Sequence, residues 1–245
     1  MKTTKIFSVS LACLLALSAK AGTAIQPDPA KGKYFQVVMI WVKDPAKFQD
    51  YGQKVGPIVA KYGGNAERII SPVESFYGGT TAKEYEAPHM VNIVYYDDKE
   101  AYEAFEKDPE FLKIKHLRSE SIEMAGIGGT VVDGELNLRE VAARLYMIEF
   151  AYFSDEDGKK YQKYEKKTQA FSQRSGLHKE RILKPDTKFG NIDLPDLVSI
   201  KFLDQASQKE QMESDKDHPK VEKLYGEAIR DLIWIEGKAA FVNLK

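Results

Sequence analysis

Glu149 and Lys201 are the residues of this chain with the clearest potential for acid–base chemistry, because each interrupts an alternating apolar strand pattern with a charge. In the stretch 145–153, Tyr146, Ile148, Phe150 and Tyr152 alternate with Met147, Glu149 and Ala151. In 197–203, Val198, Ile200 and Phe202 alternate with Ser199 and Lys201. Two earlier stretches set Phe35, Val37, Met39 and Trp41 against Gln36, Val38 and Ile40, and Val91, Ile93 and Tyr95 against Asn92 and Val94. One face is uniformly large and apolar and reads as the helix-packing face. The other carries Gln36, Asn92, Glu149, Ser199 and Lys201 and reads as the lining of a barrel lumen. There Glu149 would be a general base, its proton affinity raised by burial, on a polar floor for a ligand. The same two residues would equally form a buried structural ion pair.

Arg68 and Arg181 are a second candidate constellation. They follow Glu67 and Glu180 at a spacing of 113 residues, and both dipeptides read as strand. The pair supports either a salt bridge between two halves of the molecule or a clamp for an anion or carboxylate ligand. Neighbours on a regular strand point to opposite faces, so Glu67 and Arg68 are expected to diverge. None of His89, His116, His178 and His218 falls in a metal-binding spacing. The run Gly126-Ile127-Gly128-Gly129 leads into a strand, which is the wrong geometry for a phosphate cradle, and no Gly-x-Ser-x-Gly elbow occurs. Trp41 and Trp234 read as core.

These residues are positioned by a duplication. Gly63, Glu67, Arg68, Ile69 and Pro72 recur as Gly176, Glu180, Arg181, Ile182 and Pro185, and Tyr51 and Phe76 recur as Tyr164 and Phe189. In the first repeat, 34–132, the pattern predicts strands over 34–42, 66–71, 89–96 and 127–132. It predicts a helix opened by Asp44-Pro45, kinked at Gly56-Pro57 and stopped at Gly63-Gly64, and a second over 99–125 broken at Asp108-Pro109. The second repeat, 145–245, gives strands over 145–153, 179–184, 197–203 and 234–242. Its helices run through Tyr161, Tyr164, Thr168 and Phe171 and through Val221, Leu224, Tyr225, Ile229 and Leu232 after His218-Pro219. A connector, 133–144, joins the repeats. The order β-α-β-β-α-β is that of a ferredoxin-like unit, whose bare sheet face needs a cover. The other repeat supplies it, so the expected fold is α+β: two ferredoxin-like repeats forming one intramolecular pseudo-dimeric barrel, monomeric with internal pseudo-twofold symmetry.

The aromatic first strand, Asp44-Pro45 with Tyr51, the Tyr62-Gly63-Gly64 stop, Arg68, and Asp108-Pro109-Glu110-Phe111 followed by Arg118 resemble the bacterial domain-of-unknown-function family numbered thirteen-thirty. That family belongs to the dimeric α+β barrel superfamily, with antibiotic-biosynthesis and haem-degrading monooxygenases. The second repeat keeps Tyr164, Gly176, Arg181 and Pro219 but has Ala228 where Arg118 would recur. The resemblance to haem-degrading relatives directs attention to His116 as an axial ligand. Its register is shifted by one, and the asparagine expected on the first strand is replaced by Gln36 or Val38, so no cofactor is expected.

Met1 to Ala21 reads as a secretory signal peptide, with basic, apolar and Ala-Lys-Ala segments in order, and 22–33 as a linker. The expected location is the periplasm or outside the cell, after cleavage near Ala21. The one cysteine, Cys13, lies in that leader, so the mature chain has no disulfide or thiolate chemistry. Formal net charge is -1, and loss of Lys2, Lys5 and Lys20 makes the mature chain more acidic, against nucleic acid as a partner. No membrane insertion is expected. The functional expectation is a small organic molecule bound in the lumen by an exported binding or accessory protein. The alternative is a cofactor-independent monooxygenase, isomerase or lyase using Glu149 and Lys201. Gln36, Asn92, Ser199, Arg68, Arg181 and His116 are the candidate ligand contacts.

Overall fold

The computed structural model describes residues 32–79, 86–134 and 143–242; the leader, nearly all of the linker and most of the connector lie outside the described residues. The first repeat runs β1 (Tyr34–Val42), α1 (Pro45–Lys61), β2 (Asn65–Gly79), β3 (Met90–Tyr96), α2 (Lys99–Glu106), α3 (Pro109–Ser121) and β4 (Ile122–Asp133). The second runs β5 (Leu145–Phe153), α4 (Lys159–Arg174), β6 (His178–Phe189), β7 (Leu197–Leu203), α5 (Gln208–Glu213), α6 (His218–Ala228) and β8 (Ile229–Val242). The expected order is present twice, with the second helix split in both repeats.

Local sequence sets most boundaries. The Asp44 carboxylate accepts from the backbone N–H of Ala46 and Lys47, both at 3.1 Å, and Pro45 fills the first helical turn of α1. Asp108 caps α3 in the same way, accepting from Glu110 N–H at 2.6 Å. Gly63 and Gly176 end α1 and α4 with φ of 66° and 71°, which favours glycine at both repeat-related positions.

The eight strands close into one barrel in the order β1-β3-β2-β8-β5-β7-β6-β4. Within each repeat the order is that of a ferredoxin-like sheet, and the repeats join where β2 pairs with β8 and β4 with β6. These four joining strands are the long ones, and they outrun the expectation. β2 passes Ser71 to Gly79 and β6 passes Lys184 to Phe189, because each accommodates its proline next to a register shift, Pro72 in one and Pro185 in the other. The helix ends are also corrected: α3 stops at Ser121 and α6 at Ala228, so Ile229 and Leu232 belong to β8.

The two strand faces are assigned the opposite way from the expectation. Phe35, Val37, Met39, Val91, Ile93, Tyr146, Ile148, Phe150, Val198, Ile200 and Phe202 form one cluster with Ile70, Ile127, Leu183, Ile233 and Ile235, so that all eight strands contribute. That cluster is the lumen. Large branched and aromatic side chains fill an eight-stranded barrel, and most of these are wholly inaccessible. The mixed face lies outside, beneath the helices. There Tyr34 and Tyr96 pack with Tyr51, Ile58, Tyr102, Phe105 and Phe111, and Ala151 packs with Tyr161 and Ala228.

Candidate functional site

Three polar constellations result. The first crosses the lumen. Arg68 donates to both carboxylate oxygens of Glu180 at 2.8 and 3.0 Å, and Arg181 lies 2.9 and 2.7 Å from the two oxygens of Glu67. β2 and β6 are diametrically opposite in the barrel, so these pairs tie one repeat to the other through its centre. Glu67 and Arg68 share the lumen, contrary to the alternation rule, because a bulge separates Ala66 from Arg68; an equivalent bulge separates Lys179 from Arg181. Each guanidinium also lies over an aromatic ring, Arg68 on Tyr146 at 4.4 Å and Arg181 on Phe35 at 4.3 Å. All four charged side chains are buried and face one another, which is the inter-repeat salt bridge rather than a clamp open to a ligand.

The second constellation is Glu149 with Lys201, in the second repeat. Glu149 accepts from Ser199 Oγ at 2.6 Å, Lys201 Nζ at 2.7 Å and Tyr225 Oη at 2.6 Å. Tyr225 comes from α6, which places the pair under the helix layer and not in the lumen. The expectation of a carboxyl with raised proton affinity is overturned. Burial pushes it up, but the Lys201 ammonium and the hydrogen bonds from Lys201, Ser199 and Tyr225 together hold it below its ordinary value. Lys201 loses some affinity to burial but is raised well above its usual range by Glu149 and the nearby Tyr161 and Tyr164. Both groups stay ionised across neutral pH.

The third constellation occupies the same layer in the first repeat. Gln36 sits opposite Val94 and Val38 opposite Asn92; in the second repeat Met147 sits opposite Lys201 and Glu149 opposite Ser199. The second-repeat set is sealed, with Met147, Glu149 and Ser199 at 0% exposure and Lys201 at 6%. In the first repeat Gln36, Asn92 and Val94 remain partly exposed. They are not at the edge of the sheet face: Tyr34 and Tyr96 on one side and Ile40 and Met90 on the other are buried. Space that admits water therefore lies against the middle of this face, a cleft between the sheet and its helices.

The cleft is walled by named chemistry. Val55 from α1, Ile114 and Leu117 from α3, and Val94 are partly buried and pack against the aromatic cluster of this layer. The Gln36 side chain lies beside the Tyr102 hydroxyl, and Arg118 beside the Tyr51 hydroxyl. Burial pushes the Tyr51 phenol up to about 12, only partly offset by Arg118, so it is a neutral hydroxyl at physiological pH. Asn92 Oδ1 itself is buried without a hydrogen-bond partner. The second repeat contributes to the wall. Phe189, at the end of β6, packs edge-on to Tyr102 at 6.2 Å, and Asp186 accepts from Tyr34 Oη at 3.0 Å. Gly128 makes this possible, since a Cβ there would fall 2.1 Å from Tyr34 Oη.

Among the sequence candidates, Gln36 and Asn92 therefore share the cleft, Glu149, Ser199 and Lys201 share the sealed pair, and Arg68 and Arg181 share the lumen. His116 joins none of them. It is exposed on α3, where its carbonyl accepts from Ser119 Oγ at 2.9 Å. No cluster of His, Cys, Asp or Glu able to hold a metal occurs among the described residues. Tyr51, Tyr102 and Phe189 were not singled out for chemistry from the sequence. Arg118 is equivalent to Tyr225 and not to Ala228, which the sequence comparison sets against it; Ala228 falls on Ser121.

Residues 33–128 match the family model described as Domain of unknown function (DUF1330). No curated protein matches the chain in sequence. The fold is similar to that of an anthrone oxidase-like protein, with a TM-score of 0.55 and 12% identity over 87% of this chain and 94% of that one. It is also similar to a candidate monooxygenase from Lactobacillus acidophilus NCFM, with a TM-score of 0.50 and 11% identity over 86% and 96%. A mutant chlorite dismutase from Candidatus Nitrospira defluvii, solved in complex with cyanide, gives 0.50 and 8% over 86% and 92%. Identities this low carry fold and nothing finer. The chain thus has a closed eight-stranded barrel built from two ferredoxin-like repeats, a fold it shares with these proteins, and its first repeat matches the DUF1330 family model.

Proposed function

We propose that the protein binds a small, mostly apolar organic molecule in the first-repeat cleft, and that the second repeat is its structural counterpart. The observation that carries this is the asymmetry between equivalent positions: Gln36, Asn92 and Val94 are accessible, whereas Met147, Ser199 and Lys201 are closed over. Burying a ligand there removes partly exposed apolar surface of Val94, Val55 and Leu117 from water. The ligand site expected in the lumen moves accordingly, since the lumen is filled by side chains.

An enzymatic reading, a cofactor-independent oxygenase, isomerase or lyase, applies to the same cleft with Tyr51 as the proton donor. The fold likeness to an anthrone oxidase-like protein supports only the barrel type. Glu149 is unsuited to the base role, because all of its neighbours stabilise the ionised carboxylate. The test is a fluorescence titration with N-phenyl-1-naphthylamine, which brightens in apolar surroundings. Saturable binding at one site per chain is expected, and Val94→Trp should abolish it by filling the floor. Equal binding by wild type and Val94→Trp would contradict the assignment. The leader further supports export, and amino-terminal sequencing of the protein recovered from cells should begin near Gly22.

A further inference from the structure

The cleft has a cation beside it, Arg118. Glu106 accepts from Lys115 at 2.9 Å and from Arg118 at 3.3 Å, so one carboxylate faces two cations on this side of the cleft. Across the cleft the charges balance: Asp186 pairs with Lys99 at 3.0 Å and accepts the Tyr34 hydroxyl at 3.0 Å. Arg118 is therefore one of two cations that share the Glu106 carboxylate. Arg118 is held for use: its guanidinium lies 5.2 Å from the Phe111 ring centroid and beside the Tyr51 hydroxyl, and the side chain is only partly exposed. A planar guanidinium with a neighbouring phenol O–H is a donor set for a carboxylate or other flat oxyanion.

The second repeat offers an internal comparison. The positions equivalent to Val38 and Val94 carry Glu149 and Lys201, and the position equivalent to Arg118 carries Tyr225, whose hydroxyl donates to Glu149 at 2.6 Å. The sealed layer thus contains its own carboxylate and its own cation, bonded to each other at 2.7 Å. The open layer has the cation, Arg118, and no carboxylate on its sheet floor. Its walls are aromatic, with Tyr102 and Phe189 packed edge-on and Tyr34 stacked on Tyr102 at 5.3 Å.

We propose that the ligand of the first-repeat cleft is a monoanion with a flat apolar body, of the arylcarboxylate class, whose anionic group is taken by Arg118 and the Tyr51 hydroxyl while its ring lies against Val94, Tyr102 and Phe189. This rests on the binding reading above and narrows it. Arg118 acts as the specificity determinant for charge, and Phe189, supplied by the other repeat, as the determinant for shape.

The test compares 2-naphthoate with 2-naphthamide, which differ by one charge, through displacement of N-phenyl-1-naphthylamine and by calorimetry. Wild type should prefer naphthoate by about tenfold or more, the range of one charge-assisted hydrogen bond. The preference should collapse toward unity in Arg118→Gln and weaken in Tyr51→Phe, a variant that leaves the Arg118–Glu106 pair in place. Since the readout is a ratio within each variant, a modest loss of stability does not imitate it. Equal binding of the two compounds by wild type, or a preference that survives Arg118→Gln, overturns the charge assignment while leaving the cleft as a binding site. Failure of the naphthylamine and of both naphthalene compounds to bind removes the cleft reading itself.

Discussion

At the residue scale, the contrast between Glu149 and Arg118 separates structure from function. Glu149 has three donors and no access to solvent, so its charge is spent on holding β5, β7 and α6 together. Replacing it alone with Gln leaves the Lys201 ammonium buried without its counter-charge, and urea denaturation should show a loss of about 3–5 kcal/mol. The double variant Glu149→Gln/Lys201→Met should recover most of that, because the desolvation cost disappears with the charges. The pH dependence has a fixed sign. The folded pKa of Glu149 lies below its ordinary 4.5, so the pair's contribution is present above that pH and is lost as pH falls through the lowered folded value. Lys201 lies above its ordinary 10.5, so its contribution is present below that pH and is lost as pH rises through the raised folded value. Relative to wild type, the double variant should therefore lose less stability on acidification from neutral pH. Identical acid limbs in the two proteins would contradict the assignment.

At the scale of elements, the long joining strands β2, β4, β6 and β8 do the positioning. The bulges in β2 and β6 turn Glu67, Arg68, Glu180 and Arg181 into the lumen, and the extension of β6 carries Asp186 and Phe189 over the first repeat's cleft. Gly128→Ala should displace Tyr34 from Asp186 and destabilise by about 1–3 kcal/mol, the usual cost of overpacking, with a measurable drop in naphthylamine affinity. Unchanged affinity would show that Tyr34 and β6 do not shape the site. The element order, the Asp44 and Asp108 caps and the paired glycine stops were legible because each is a local signal. The lengths of β2 and β6 were not, since Pro72 and Pro185 end a strand by local rules and are tolerated here only at register shifts opposite another repeat. The face assignment failed for a related reason. Alternation separates two faces but does not label them, and this barrel puts its larger apolar side chains inside and the Glu149–Lys201 pair under helices. Gln36 and Asn92 were found because polar residues in an apolar strand mark a layer interface in either arrangement.

At the scale of the whole molecule, the duplication lets two equivalent layers diverge. One became a sealed wall, the other kept an opening, and the charged quartet across the lumen holds them in register. Arg68→Ala should cost about 3–5 kcal/mol by stranding Glu180, and a chain truncated before Leu145 should self-associate, because it exposes the apolar lumen face of its own sheet. Sedimentation of the full mature chain as a monomer, against dimers or larger species of the truncated one, is the expected pattern. A monomeric truncated repeat would remove the need for an intramolecular barrel. The central claim, that ligand binding belongs to the first repeat's sheet–helix cleft and to no equivalent place in the second, is tested most directly by a crystal structure of the mature protein with N-phenyl-1-naphthylamine. The account predicts one molecule per chain between β1, β3 and the α1–α3 layer, against Val94, Tyr102 and Phe189. Density in the lumen, or beneath α4 and α6 beside Glu149, would contradict it.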